Sequence, residues 1–361
     1  MAIHSTSVKK ESYYFSVDAK YLFALLMPAL ALISVSLHGA WTFTAFLFTF
    51  GIVPFVEMLY NGTSENLSTE EEQSALKNFY FDMLVYLNIP LQFLLLVLFF
   101  NRLSNPETTT LEMIGMTLSV GIMCAIIGTN VGHELAHRPK KFEIILGKML
   151  FATTLNMHFA VYHNKWHHRY VATPLDPATA KKGESLYAFF TRSIPGTYIL
   201  SWKMEYKRLK KAGEGWFSMH NLMLRGQLIQ LMMLLLIYLI WGKFALLGFL
   251  GSSFLGILIY EAGNYIEHYG MERKEVKDGV YERCMPCHSW NSNHVLGRIM
   301  LYELSRHSDH HYLASRKFQI LRHFEESPQL PAGYPGAILM AAIPSLWYKK
   351  IHPLLELNKR N

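Results

Sequence analysis

The sequence predicts an all-α integral membrane protein with about six transmembrane helices and a cytoplasmic His-rich di-metal site. Three observations carry this. Apolar residues make up 51% of the 361-residue chain and charged ones 17%, below the roughly 25% of soluble domains. Six stretches approach the ~20 mostly apolar residues that a spanning helix needs. Nine histidines fall into four tight groups.

The six stretches are 21–38, 41–60, 83–101, 112–131, 226–242 and 244–265. The first follows a polar lead with no small-residue cleavage site, so it reads as a span and not a cleaved signal. Short links at 39–40 and around Gly242-Lys243 predict helical hairpins from spans one and two and from spans five and six. A seventh apolar stretch, 144–162, carries Lys148 and His158. If it spanned, it would separate two of the His groups, so it reads as an interfacial or buried cytoplasmic helix.

The positive-inside rule sets the orientation. With the N-terminus in the cytoplasm, all of the 34 Lys and Arg except Arg102 and Lys243 fall on the inside. Both termini are then cytoplasmic. The catalytic segments 132–225 and 266–345 face the cytoplasm, and residues 1–361 form one membrane-embedded domain. The net charge of +7 belongs to this bias and implies no nucleic-acid partner. Three cysteines imply no disulfide scaffold.

The His groups read H-E-L-A-H (His133, His137), H-N-K-W-H-H (His163, His167, His168), N-Y-I-E-H-Y-G (His268) and H-S-D-H-H (His307, His310, His311). Helix positions three or four apart share a face, so each multi-His group can aim several rings at one point. Imidazole suits zinc, iron, copper and nickel. Nine rings exceed what one four-coordinate ion needs, and this predicts two ions. Neutral rings leave the ions' charge unbalanced, which calls for carboxylates that orient the ligands. Glu134, Glu267 and Asp309 adjoin proposed ligands and are candidate catalytic residues; Glu261 and Asp176 are further candidates. His158 and His294 are weaker second-layer candidates. Glu134 also completes the H-E-x-x-H string of zinc proteases, but that reading leaves seven clustered histidines without a role. A metal transporter would need ionisable groups within its spans. Here Glu57, Glu112 and Glu261 lie near span ends.

The four boxes resemble those of the membrane di-iron alkane monooxygenases, the alkane ω-hydroxylases. Further similar runs are 171–179 (V-A-T-P-L-D-P-A-T), Gly183-Glu184-Ser185, Tyr281-Glu282-Arg283, 288–294 (H-S-W-N-S-N-H) and 330–336 (L-P-A-G-Y-P-G). They cover about 120–345. The N-Y-x-E-H-Y-G motif separates this family from fatty-acid desaturases. The resemblance implies two non-haem iron ions on the nine matched histidines. It implies hydroxylation of the terminal carbon of medium- or long-chain alkanes to primary alcohols with O2. Electrons would come from a rubredoxin and its NAD(P)H-dependent reductase. The setting would be the bacterial inner (cytoplasmic) membrane, with alkane entering from the bilayer. The alternative is a fatty-acyl desaturase or a hydroxylase of another apolar substrate, such as an aromatic methyl group.

The one C-x-x-C pair, Cys284 and Cys287, is too few thiolates for a fused rubredoxin. With His288 it matches a haem-attachment string, but a cytoplasmic position argues against haem. An alkane offers no hydrogen bond, so selectivity must come from shape. Phe43, Phe46, Phe48, Phe50, Phe93, Phe99 and Phe100 are the expected channel aromatics.

Overall fold

The computed structural model describes residues 19–60 and 62–358. Expectations for the extreme N-terminus and for the last three residues lie outside this range. Among the described residues, four helices are long and apolar enough to cross a membrane: Gly39–Leu59, Phe79–Leu103, Thr110–Ala136 and Leu222–His268. A shorter apolar helix, Lys20–Ser36, precedes them. Five of the six expected stretches fall within the four long helices. The first expected stretch corresponds to Lys20–Ser36.

The 47-residue helix Leu222–His268 is two limbs. Gly242 adopts φ 80° and ψ −172°, a backbone state that glycine reaches without a Cβ clash. The limbs fold back on each other, so Gln227 of the first and Ile257, Tyr260 and Glu261 of the second line one cavity. The bend is fastened to the end of Phe79–Leu103. There Ser104 Oγ donates to the Trp241 carbonyl at 2.6 Å, and the Trp241 indole donates to Asn101 at 2.6 Å.

The Thr110–Ala136 helix is the most enclosed of the four, with 72% of its apolar window buried. It packs closely on the second limb. A Cβ on Gly256 would stand 2.5 Å from that of Cys124, and one on Gly121 would stand 2.7 Å from Leu255. Small residues of this kind let membrane helices approach without a hydrophobic driving force. Lower down, the helix relaxes into a π turn at Cys124–Val131. Such turns recur at functional sites.

The expected non-spanning stretch at 144–162 is not a continuous helix. Lys141–Ala152 ends at Thr153, and a break precedes Phe159–Tyr162. At 12 residues, Lys141–Ala152 is too short to span. Two buried polar side chains within Phe79–Leu103 tie the bundle to the His-bearing segments: Asn88 donates to Tyr302 at 2.6 Å and Gln92 to Thr153 at 3.3 Å. The C-terminal helix Pro344–Asn358 buries Trp347, Ile351 and Leu355 against Tyr265 and Tyr269, which form a second apolar core.

The expected channel aromatics separate. Phe50 alone of the seven lines the apolar cavity described below. Phe99 and Phe100 pack against each other, and Phe100 also meets Trp241 and Phe249. Phe93 is exposed on the outer surface. Hydropathy does not say which face of a helix a phenylalanine occupies.

Candidate metal centre

Local helix geometry decides where each imidazole points. His133 and His137 are four apart at the end of the Thr110–Ala136 helix, with ring centroids 4.7 Å apart. The segment His163–His167 is a π turn, in which i and i+5 align. His163 and His168 therefore face one another, Nε2 to Nε2 at 3.0 Å, while His167 is directed elsewhere. The short helix His307–Tyr312 divides its rings in the same way. His307 and His311 meet at 3.0 Å, and His310 reaches His168 at 3.1 Å. His268 ends its helix with Nε2 3.3 Å from that of His307.

All nine histidines thus converge, and they sort into two groups. His133, His137, His163, His168 and His310 form one; His167, His268, His307 and His311 form the other. Within each group the donor atoms lie within 4.8 Å of one another. Each multi-His box after the first contributes to both groups.

The rings fit metal ions. Eight of the nine carry a buried ring nitrogen with no hydrogen-bond partner; His310 is the exception. Unpaired buried polar atoms are costly, and facing nitrogen lone pairs repel unless a cation or proton sits between them. Burial, reinforced by neighbouring imidazoles, lowers His137 to about 3. The same causes hold His163, His168, His310 and His311 well below the usual imidazole range, and His307 likewise. These six rings are therefore neutral at pH 7 and available as ligands. Both clusters could hold a metal ion.

The surrounding carboxylates take different parts. Asp176 Oδ2 lies 3.0 Å from His167 Nδ1 and accepts from Thr179 Oγ1 at 2.7 Å, and Tyr162 donates to its other oxygen. Burial alone would raise the Asp176 carboxyl, but His167 and these donors hold it below the usual range. Glu267 lies 3.3 Å from His307 Nε2. Glu134 and Asp309 do not meet the rings as adjacency in sequence predicts. Glu134 pairs with Arg138 at 3.0 Å. Asp309 takes Arg316 at 2.5 Å and the Arg322 backbone N–H at 2.8 Å. Their side chains leave the helix away from the ligand face and brace it from behind. Glu261 is buried and accepts from Ser193 and Asn264.

Arg138 is a supporting residue that no motif or spacing marks. It is a buried junction that reaches Asp82, Glu134 and Glu143 at 2.8–3.0 Å. Asp82 in turn takes Lys317 at 2.8 Å, which links the first His box to the segment after the last. His294 bonds Ser292 and lies outside both clusters, as does His158. Cys284, Cys287 and Cys124 are free thiols. Burial pushes the Cys284 thiol up to about 12.

An apolar cavity runs into the bundle from Glu267, the carboxylate beside His307 of the four-His group. Glu267, Leu304 and Asn130 line its upper end, and Ile122, Ile259 and Thr49 lie further down. The Asn130-to-Ile122 stretch runs eight residues, or about 12 Å of helix.

Residues 109–352 match the family model described as "Fatty acid desaturase". An alkane 1-monooxygenase of Ectopseudomonas oleovorans is 36% identical over 92% of this chain and 84% of its own length. The chain belongs to the alkane 1-monooxygenase family. Alkane 1-monooxygenase 1 of Alcanivorax borkumensis is 34% identical over 93% of this chain and 84% of its own length. The xylene/toluene monooxygenase hydroxylase component XylM of Pseudomonas putida is 28% identical over 76% and 73%. The region that matches the family model contains all nine converging histidines.

Proposed function

We propose that this protein is a di-iron monooxygenase that hydroxylates the terminal carbon of medium- or long-chain alkanes. The single observation that carries the reading is where the apolar cavity ends. It terminates at Glu267, 3.3 Å from His307 of the four-His group. A methyl terminus can be presented to a metal centre there, and the 34–36% identity to named alkane 1-monooxygenases supplies the substrate class.

In this reading the five-His and four-His groups each hold one iron. When bound, the irons supply O2 activation and two-electron chemistry. The chain's own residues position and exclude. Asp176 fixes the His167 ring. Glu267 balances charge beside His307. The wall residues Ile126, Met300, Leu301 and Ile338 keep water from the substrate end. Rubredoxin and its NAD(P)H-dependent reductase are the proposed electron donors. Residues 1–361 act as one bilayer-embedded domain of six spans in the bacterial inner membrane, with the metal end and both termini cytoplasmic. Charge supports that orientation, since Arg102 and Lys243 alone among Lys and Arg fall at the far end.

The test is product analysis. Membranes holding the protein receive short, medium and long alkanes, xylene and an acyl lipid, with rubredoxin, reductase and NADH. Primary alcohols that disappear in His307→Ala are expected. Oxidised xylene or unsaturated acyl chains without alcohols would instead select the alternative substrates.

A further inference from the structure

A second cavity, of about 290 Å³, lies across Tyr260 from the apolar one. Tyr260 lines both. The chemistry of the second is different: Asn156, His158, Tyr162, Gln227 and Glu261 face it, and it reaches the surface at Pro195. Its volume accommodates several waters, and its polar groups can bind them. Its inner wall is Phe159, which stacks on His163 at 4.4 Å, and Tyr162, which donates to the Asp176 that holds His167. The polar cavity therefore abuts both His groups, as the apolar cavity abuts one.

Glu261 is its unusual member. The carboxylate is buried, with Ser193 Oγ donating at 2.5 Å and Asn264 at 3.2 Å. Glu261, Asn264 and His268 stand at i, i+3 and i+7, on one helix face that leads to the metal end. Tyr162, Tyr260, Asp176, Glu267, Arg192 and His167 are its titratable and charged neighbours. Arg192 is committed to Glu184 and to the carbonyls of Pro177 and Thr179. Among the described residues no cation is hydrogen-bonded to Glu261, so its carboxylate can carry a proton.

We propose that the polar cavity is the aqueous proton entry to the metal centre and that Glu261 is its proton carrier. The inference rests on the monooxygenase reading. In that reaction a C–H bond breaks and a C–O bond forms. The second oxygen atom leaves as water, and the balance consumes two electrons from the donor protein and two protons. The apolar cavity cannot supply those protons without wetting the substrate. Two cavities divided by Tyr260 keep the two deliveries apart.

The experiment uses wild type, Glu261→Gln and Glu261→Asp, each matched for metal content. E261Q is expected to lower kcat about 100-fold, the lower end of what one positioned acid–base group contributes. KM for alkane stays unchanged, the solvent deuterium isotope effect grows, and peroxide is released. E261D recovers much of the rate. Infrared spectra supply a readout independent of turnover: a carboxyl band absent from E261Q should shift within seconds in D2O. Wild-type kcat and isotope effect in E261Q would overturn the proposal. A loss in E261D equal to that in E261Q would overturn it too, because restoring the carboxyl group would then restore nothing. If wild type makes no alcohol, the monooxygenase reading fails by itself. The infrared shift then still decides whether Glu261 exchanges protons with water, and no shift rejects it.

Discussion

Asp176 locks His167: its Oδ2 lies 3.0 Å from the ring Nδ1 while Thr179 and Tyr162 occupy its other acceptor positions. The ring's Nε2 is left without a partner and turned toward His268 and His311. Outer carboxylates of this kind typically change metal affinity 10–100-fold. Asp176→Asn should therefore weaken metal binding at the four-His group by about that factor and spare the five-His group. Competitive chelator titration, followed by metal analysis of the protein, checks this.

The unequal groups predict unequal tolerance. Removing His268 leaves three imidazoles in its group, whereas removing His163 leaves four in the other. Four ligands satisfy a tetrahedral ion. Purified His268→Ala should hold about one metal per chain, and His163→Ala close to two. The reverse pattern would mean that the groups are not separate sites.

Acid should destabilise the metal-free protein. The buried rings resist protonation, with His137 lowered to about 3, whereas unfolded histidines protonate near 6.5. Below pH 6.5 the unfolded chain binds more protons than the folded one, so stability falls as pH drops from 6.5 toward 3. Above 6.5 this contribution is complete and flat. Denaturation of chelator-treated protein across that window, followed by tryptophan fluorescence, should show the slope.

The depth of the apolar cavity should set substrate length. Ala125 and Ile122 lie toward its lower half. Ala125→Phe should shift the product profile to shorter alkanes, and Ile122→Ala to longer ones, with the preference read from a mixed-alkane incubation. An unchanged profile in both variants would mean that substrate does not enter this cavity.

Arg138 is buried among three carboxylates. Arg138→Met would leave Asp82, Glu134 and Glu143 without it, and stranding buried charges costs about 3–5 kcal/mol. A lowered unfolding midpoint with loss of metal from the five-His group is the expected result.

The long apolar helices were legible because hydropathy is a property of whole segments, and the converging histidines were legible because paired histidines at helical spacing have few other uses. The partition into five and four was not. It depends on a π turn at His163–His167 that no spacing rule announces, and on which helix ends meet. Glu134 and Asp309 misled for a related reason: adjacency in sequence places a side chain about 100° around a helix from its neighbour, away from the ring beside it. Asp176, nine residues from His167, became its partner through the turns that follow Tyr170.

The two His groups also bear on how the protein is made. One draws on His133 through His310 and the other on His167 through His311. Neither is complete until a ribosome has translated as far as His310 and His311. Metal capture by these groups would thus be a late event, after most of the apolar segments have been translated. A chain that stalls or is clipped before His307 carries six of the nine rings at most, and lacks members of both groups. Metal content would then report that translation has passed His311, without sensing the rest of the fold.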